Sequence, residues 1–315
     1  MKGTGSLWIR GLLTLAVLTI IAFKIDLRST GAALMRLRLD AAVAVLALLA
    51  LDRAVMIWRW VILLRARGTA ITTKSATWIY LVSSFVGGFL PAGVGADVVR
   101  AYSLTQRTAR GSEAVASVAV DRLLGLLSIV VMGTIGALVA GRQIEGVPPY
   151  LLPAITIVVL VANLTLLWSD RIVAVSAEGR AGTGLARRLI NLSTALGQYR
   201  GHRPALWAVA GLSVAVQVLR ILQAYLLGRG IGIDVPFSYY LLFMPIGLIA
   251  LLLPISISGI GAPQGIIVWL LQPAGVPAPD ALALSTLIVL SGIVANLPGA
   301  WLYLRARAHP AREHT

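Results

Sequence analysis

Long apolar runs alternate with short polar stretches from Leu7 to Leu304. Eight apolar segments stand out: Leu7–Ile25, Ala41–Leu64, Ala76–Leu90, Ala114–Ala140, Tyr150–Trp168, Pro204–Gly228, Phe237–Leu253 and Ala281–Leu304. They run from about 15 to 27 residues, around the roughly 20 that a helix needs to cross a bilayer. Two further stretches, Ala92–Leu104 and Ile255–Leu271, are apolar but interrupted by Gly and Pro.

The first interruption, GGFLPAGVGADVVRAY from Gly87 to Tyr102, organises the rest. Pro91 disfavours helical geometry before it, so a helix is expected to stop at Phe89 or Leu90. Gly93 and Gly95 free the loop, and a new helix is expected near Ala96, carrying Asp97 and Arg100. Its unpaired N–H groups and positive dipole end would suit an anionic group. Irregular backbone at membrane depth is tolerated only where it is buried in protein or lines a wet cavity, which makes this stretch the expected functional centre.

The two interruptions decide the expected topology. If Ala76–Leu90 crossed completely, Arg100, Arg107 and Arg110 would lie opposite Arg65, Arg67 and Lys74, against the positive-inside rule. A re-entrant hairpin turning at Pro91, and another at Pro254, puts 17 of the 27 cations inside, six outside and four within spans. The expected fold is therefore an all-α polytopic membrane protein of six full spans plus two re-entrant broken-helix hairpins, with both termini cytoplasmic. Lys24, Arg28, Arg36 and Arg38 are awkward on the outer face; Leu34, Leu37 and Leu39 with Arg36 and Arg38 suggest a short interfacial helix whose arginines snorkel. Ser169–Arg203, with Leu185, Leu189 and Leu192 along one face, suggests a second amphipathic segment on the inner side. Leu90-Pro91 with Gly93 and Gly95 parallels Leu253-Pro254 with Gly259 and Gly261, so one membrane domain over 1–315 is expected to hold half-repeats at 1–140 and 150–304. Three crossings per half would make those repeats inverted, an arrangement used by transporters.

Composition agrees with a membrane protein and narrows the function. Of 315 residues 58% are hydrophobic and 12% charged, and the mean hydropathy is +0.88. The net charge of +15 and pI near 11.2 fit cytoplasmic loops beside anionic headgroups. Nucleic acid is not an expected partner, since no basic helix is interleaved with exposed aromatics. Lys2 and Arg10 before an apolar run resemble a signal peptide, but no small-x-small site precedes Lys24, so an uncleaved first span is expected. Cysteine is absent, which excludes disulfides and thiolate chemistry. His202, His309 and His314 lie in loops or the tail, and no Walker motif, metal-ligand cluster or Asp-rich prenyl-transfer pattern is present. No enzymatic activity, cofactor or metal is expected. The Ala, Arg and Gly-rich composition fits a bacterial inner membrane.

Ionisable residues within spans are expensive and usually face a bundle interior or wet cavity. The candidates are Asp52, Arg53, Arg59, Asp97, Arg100, Asp121, Arg122 and Arg220. Asp52 and Arg59, seven apart, share a helix face at about 10 Å, so each needs a partner on another helix. Arg53 and Arg59 can alternatively snorkel. Arg220, flanked by Gln217 and Gln223, makes a polar stripe suited to a phosphate or carboxylate, unless Asp97 or Asp121 merely neutralises it. Ser256 and Ser258 offer hydroxyls either to a headgroup or to freed carbonyls.

The runs FLPAGVGADVVRAY, AVASVAVDRLLGLL and LPISISGIGAPQGII resemble the flippase-like transmembrane family named for lysylphosphatidylglycerol synthase. Pro91, Gly95, Asp97 and Arg100 match its first signature, Asp121 and Arg122 its second, and Arg53 with Arg59-Trp60 its second-span pattern. In its third, Pro, Ser and Gly-rich loop, Gln264 stands where the family usually has Glu, which removes a charge. The resemblance implies a protein that handles membrane lipids, moving an anionic or aminoacylated phospholipid or a lipid-linked precursor between leaflets. It implies no lipid synthesis, since the soluble aminoacyl-transfer domain has no counterpart in this sequence. The same charges also suit a non-transporting accessory subunit of a lipid or polysaccharide enzyme, or, less readily, a transferase acting on a lipid-linked sugar. Membrane lipids are thus the expected partners, with a homo-oligomer or an enzyme partner left open.

Overall fold

The computed structural model describes residues 27–89, 95–108, 111–140, 184–252 and 262–308, together with Tyr150, Ala154, Ile157, Val158, Leu160, Val161 and Thr165. The expected span Leu7–Ile25, both Pro/Gly loops and most of Tyr150–Trp168 lie outside the described residues. All regular structure among the described residues is helical.

A short helix α1 (Leu27–Met35) leads into α2 (Leu39–Ala66), then α3 (Thr73–Gly87), α4 (Gly95–Thr105) and α5 (Gly111–Ala140). After α6 (Gly184–Gly197) and a 3₁₀ turn come α7 (Arg203–Gly230), α8 (Phe237–Leu252), α9 (Ala262–Leu271) and α10 (Ala278–Ala308). Of these, α2, α5, α7 and α10 are long and apolar enough to cross a membrane. They match four of the six expected full spans.

Cross-helix contacts fix the directions. Along α2 and α7, Arg38 N–H donates to the Gly230 carbonyl at 3.0 Å, Asp52 meets Arg220, and Arg59 meets Ser213; the pair is antiparallel. Along α2 and α5, Arg67 meets Glu113 and Trp60 meets Ser117, again antiparallel. At the far end Arg36 pairs with Asp280 at the start of α10. So α2 and α10 run one way, α5 and α7 the other.

The shorter helices pair off. α3 starts with Thr72 as N-cap, its hydroxyl accepting the Ser75 N–H at 3.2 Å, a cap that satisfies one orphan donor. It ends at Gly87, two or three residues before the expected stop at Phe89 or Leu90. Gly87 is where α4 begins alongside it: a Cβ there would collide with the backbone of Ala96. α4 runs back along α3, and Arg107 just beyond it lies 4.9 Å from the Trp78 ring near the start of α3. α8 and α9 likewise pack together. Each pair docks on a long helix remote in sequence, α3 on α10 and α8 on α5. Both dockings pass through a glycine, Gly299 against the Leu81 carbonyl and Gly136 against the Leu241 carbonyl, with no space for a side chain. Small residues at such crossings let apolar helices approach closely.

Two local expectations are refined. The expected interfacial helix around Leu34–Leu39 is displaced: α1 ends at Met35, and Arg36 to Arg38 form the turn into α2. The turn is held because Arg36 reaches Asp280 and Arg38 reaches Asp40, while Leu37 packs into the core. The second expected amphipathic segment contains α6, whose Leu192, Ala195 and Leu196 pack with Tyr199 against Leu63, Ala116 and Val209. α6 joins α7 through the 3₁₀ turn Gln198–His202.

Candidate functional site

Three long helices and the α3/α4 pair meet around a cleft of about 570 Å³ of atom-free space, part of it continuous with the surroundings. α2 supplies Met56 and Arg59, α3 Tyr80, Ser83 and Ser84, α4 Asp97 and Arg100, α5 Asp121, Arg122 and Gly125, and α7 Gln217 and Arg220. These residues are up to 164 positions apart in sequence, and helix periodicity turns each toward the same space.

Asp121 is the fixed centre. Its side chain is 2% exposed; one oxygen accepts from Arg59 Nε at 2.7 Å and the other from Arg100 Nη2 at 3.0 Å. Arg59 also donates through Nη1 to Ser213 Oγ at 2.9 Å. Its guanidinium lies against Gly125, where an added Cβ would sit 3.6 Å from both terminal nitrogens. Arg59 is therefore buried and paired, and does not snorkel. Arg100 extends the network outward: the same Nη2 reaches Asp97 Oδ1 at 2.9 Å, and the guanidinium carbon lies 5.1 and 5.0 Å from the Trp60 and Tyr80 ring centres. The ring faces stabilise that cation in a desolvated place. Arg100 belongs to the bundle interior, not to the inner-face cations with which its position in sequence groups it.

Asp97 is the carboxylate of the cleft nearest the outside, its side chain 21% exposed, with its second oxygen 3.4 Å from Arg122 Nη1. Asp121 and Arg122, adjacent in sequence, thus take different partners. Arg220 pairs with Asp52 Oδ1 at 3.1 Å, not with Asp97 or Asp121. Its Nη2 meets the Met56 sulfur at 2.9 Å, and a thioether is a weak acceptor. Arg53 lies 3.7 Å from the other Asp52 oxygen. Asp52 and Arg59 thus each find a partner on a different helix, as their spacing requires.

Five guanidiniums, from Arg53, Arg59, Arg100, Arg122 and Arg220, meet three carboxylates, from Asp52, Asp97 and Asp121. Among the described residues the group therefore holds two more guanidiniums than carboxylates. Arg100 Nε is buried with no partner among the described residues. Such a surplus in partly desolvated surroundings favours an anion, and guanidinium geometry suits phosphate oxygens. Among the described residues no group of three or more His, Cys, Asp or Glu side chains is arranged to hold a metal.

Of the other sequence candidates, Gly95 opens α4 and is buried. Gln264 is buried on α9 but does not line the cleft. Pro91, Gly93, Ser256, Ser258, Gly259 and Gly261 lie outside the described residues. Sequence reasoning missed Trp60, Tyr80, Ser213 and Met56 as parts of the site, because in an apolar helix they read as ordinary packing. Only the Arg59-Trp60 adjacency carried a signal.

The family model described as Lysylphosphatidylglycerol synthase TM region matches residues 7–299. No curated protein matches the chain.

Proposed function

The chain belongs to the lysylphosphatidylglycerol synthase TM-region family, and from that premise we propose that this membrane protein moves an anionic or aminoacylated phospholipid, or a lipid-linked precursor, between leaflets. The observation that carries the reading is the surplus of two positive charges on a cleft that reaches the surroundings. Arg122 and Arg220, with 32% and 24% of their side chains exposed, would receive the headgroup phosphate first. Arg100 Nε would hold it deeper, while the acyl chains stay in lipid.

The paired short helices, α3/α4 and α8/α9, are read here as re-entrant hairpins of two inverted half-repeats. Matching helix lengths support this: α2 and α7 have 28 residues each, α3 and α8 have 15 and 16, and α5 and α10 have 30 and 31. Rocking one half against the other would expose the cleft to each side in turn. The activity is transport without chemistry on the lipid, in the cell membrane of a bacterium, with the end that carries Lys74 and Arg107 facing the cytoplasm.

The accessory-subunit reading draws on the fact that Asp52, Asp97 and Asp121 are each ion-paired, as purely structural charges would be. The excess of guanidiniums over carboxylates among the described residues argues against it, because a structural network gains nothing from surplus charge. Lipid binding tests the assignment. The purified protein should bind an anionic phospholipid at least about tenfold more tightly than the folded Arg100→Gln/Arg220→Gln double variant, since charged hydrogen bonds are lost at two places. Equal binding by the two proteins would sink it.

A further inference from the structure

We propose that Gln217 determines headgroup specificity, accepting a hydrogen bond from a neutral hydroxyl carried beside the lipid phosphate. This rests on the reading of the cleft as a headgroup site and narrows the class of lipid.

Gln217 lines the cleft one helical turn before Arg220 and is 2% exposed. Its Nε2 donates to Ser128 Oγ at 3.3 Å, and Ser128 Oγ donates its own proton to the Gly125 carbonyl at 2.7 Å. With that proton committed, Ser128 offers Gln217 only an acceptor. That network assigns the amide nitrogen to Ser128 and leaves Oε1 on the other side. The opposite atom, Oε1, is buried with no partner among the described residues. Buried acceptors are normally satisfied, and one left unsatisfied on a residue that lines a cleft can be met by a donor that a ligand brings.

The donor's chemistry follows from the charges. An ammonium entering here would face the surplus of two guanidinium charges, whereas a hydroxyl brings a proton without charge. A phosphodiester held by Arg100 and Arg220, with a glycerol or sugar hydroxyl on Gln217, satisfies both requirements. A site built to bond a hydroxyl rejects the analogue lacking it, because its acceptor is then stranded.

Phosphatidylglycerol and phosphatidylmethanol with the same acyl chains test this directly. Both carry one phosphodiester charge, and only the first carries headgroup hydroxyls. In competition for the full chain in detergent, read by native mass spectrometry, the wild type should prefer phosphatidylglycerol by about fivefold, the size of one net hydrogen bond. Gln217→Met, similar in length but lacking the amide, should bring the ratio close to one while phosphatidylmethanol still binds. If Gln217→Met does not fold, Ser128→Ala decides: it releases the amide, so a lowered ratio supports the assignment and an unchanged one overturns it. A wild-type protein with no preference, or a Gln217→Met variant that keeps it, also overturns it. Failure of the wild type to bind either lipid contradicts the headgroup reading itself, and this inference with it.

Discussion

Asp97 and Asp121 are the same side chain in two different situations, and they should respond oppositely to neutralisation. Asp121 is enclosed and divides its oxygens between Arg59 and Arg100. Removing one member of a buried pair leaves uncompensated charge, at a cost of about 3 kcal/mol or more. Asp121→Asn should therefore unfold at markedly lower temperature in detergent. Asp97 sits nearer the outside between Arg100 and Arg122, where it competes with any incoming anion. Asp97→Asn should lose little stability and bind anionic lipid several-fold more tightly. The same response from both variants would contradict this division. The ionisable residues of the site were legible in the sequence because charge inside an apolar run is costly and must be used. Their partners were less so. Asp97/Arg100 at a spacing of three was readable, but the pairing of Arg220 with Asp52 depends on the depth at which α7 crosses α2, which no local pattern encodes. The Trp60 and Tyr80 faces under Arg100 carry no mark that separates them from core aromatics.

Helix positions follow closely from the apolar runs: Ala41–Leu64 becomes Leu39–Ala66, and Pro204–Gly228 becomes Arg203–Gly230. One boundary beside the first Pro/Gly stretch was legible too, since the new helix expected near Ala96 starts at Gly95. The early end of α3 was not, because it is set by contact between Gly87 and Ala96, a tertiary demand. The hairpin reading makes a prediction about these elements. The sequence contains no cysteine, so single cysteines can be introduced without background. Lys74→Cys before the body of α3 and Gln106→Cys just past α4 should both react with an impermeant thiol reagent from the cytoplasmic side. Asp234→Cys before α8 and Gln272→Cys after α9 should both react from the opposite side. Labelling of Lys74→Cys and Gln106→Cys from different sides would mean that α3 and α4 together cross the membrane, and would remove the hairpin.

Charge divides the whole molecule along its length. At one end Arg65, Arg67, Lys74, Arg107 and Arg305 gather, with Arg65, Arg107 and Arg305 lying over Trp58, Trp78 and Trp301 respectively. Arginine and tryptophan together suit the headgroup layer of an anionic leaflet. At the other end Arg36, Arg38 and Arg229 are each matched by an aspartate, Asp280, Asp40 and Asp234. Asp280 and Asp40 thus hold Arg36 and Arg38, two of the four cations that are awkward when only the sequence is counted. Between the two ends lies the cleft with its surplus of positive charge, and the central claim is that a lipid headgroup crosses there. The most direct measurement is the accessibility of a headgroup-labelled anionic lipid in proteoliposomes to an impermeant quencher. Wild-type protein should expose inner-leaflet label in proportion to the protein added, while folded and inserted Arg100→Gln/Arg220→Gln should stay at the protein-free level. Wild-type vesicles that match protein-free ones, or a double variant that keeps the wild-type rate, would contradict the account.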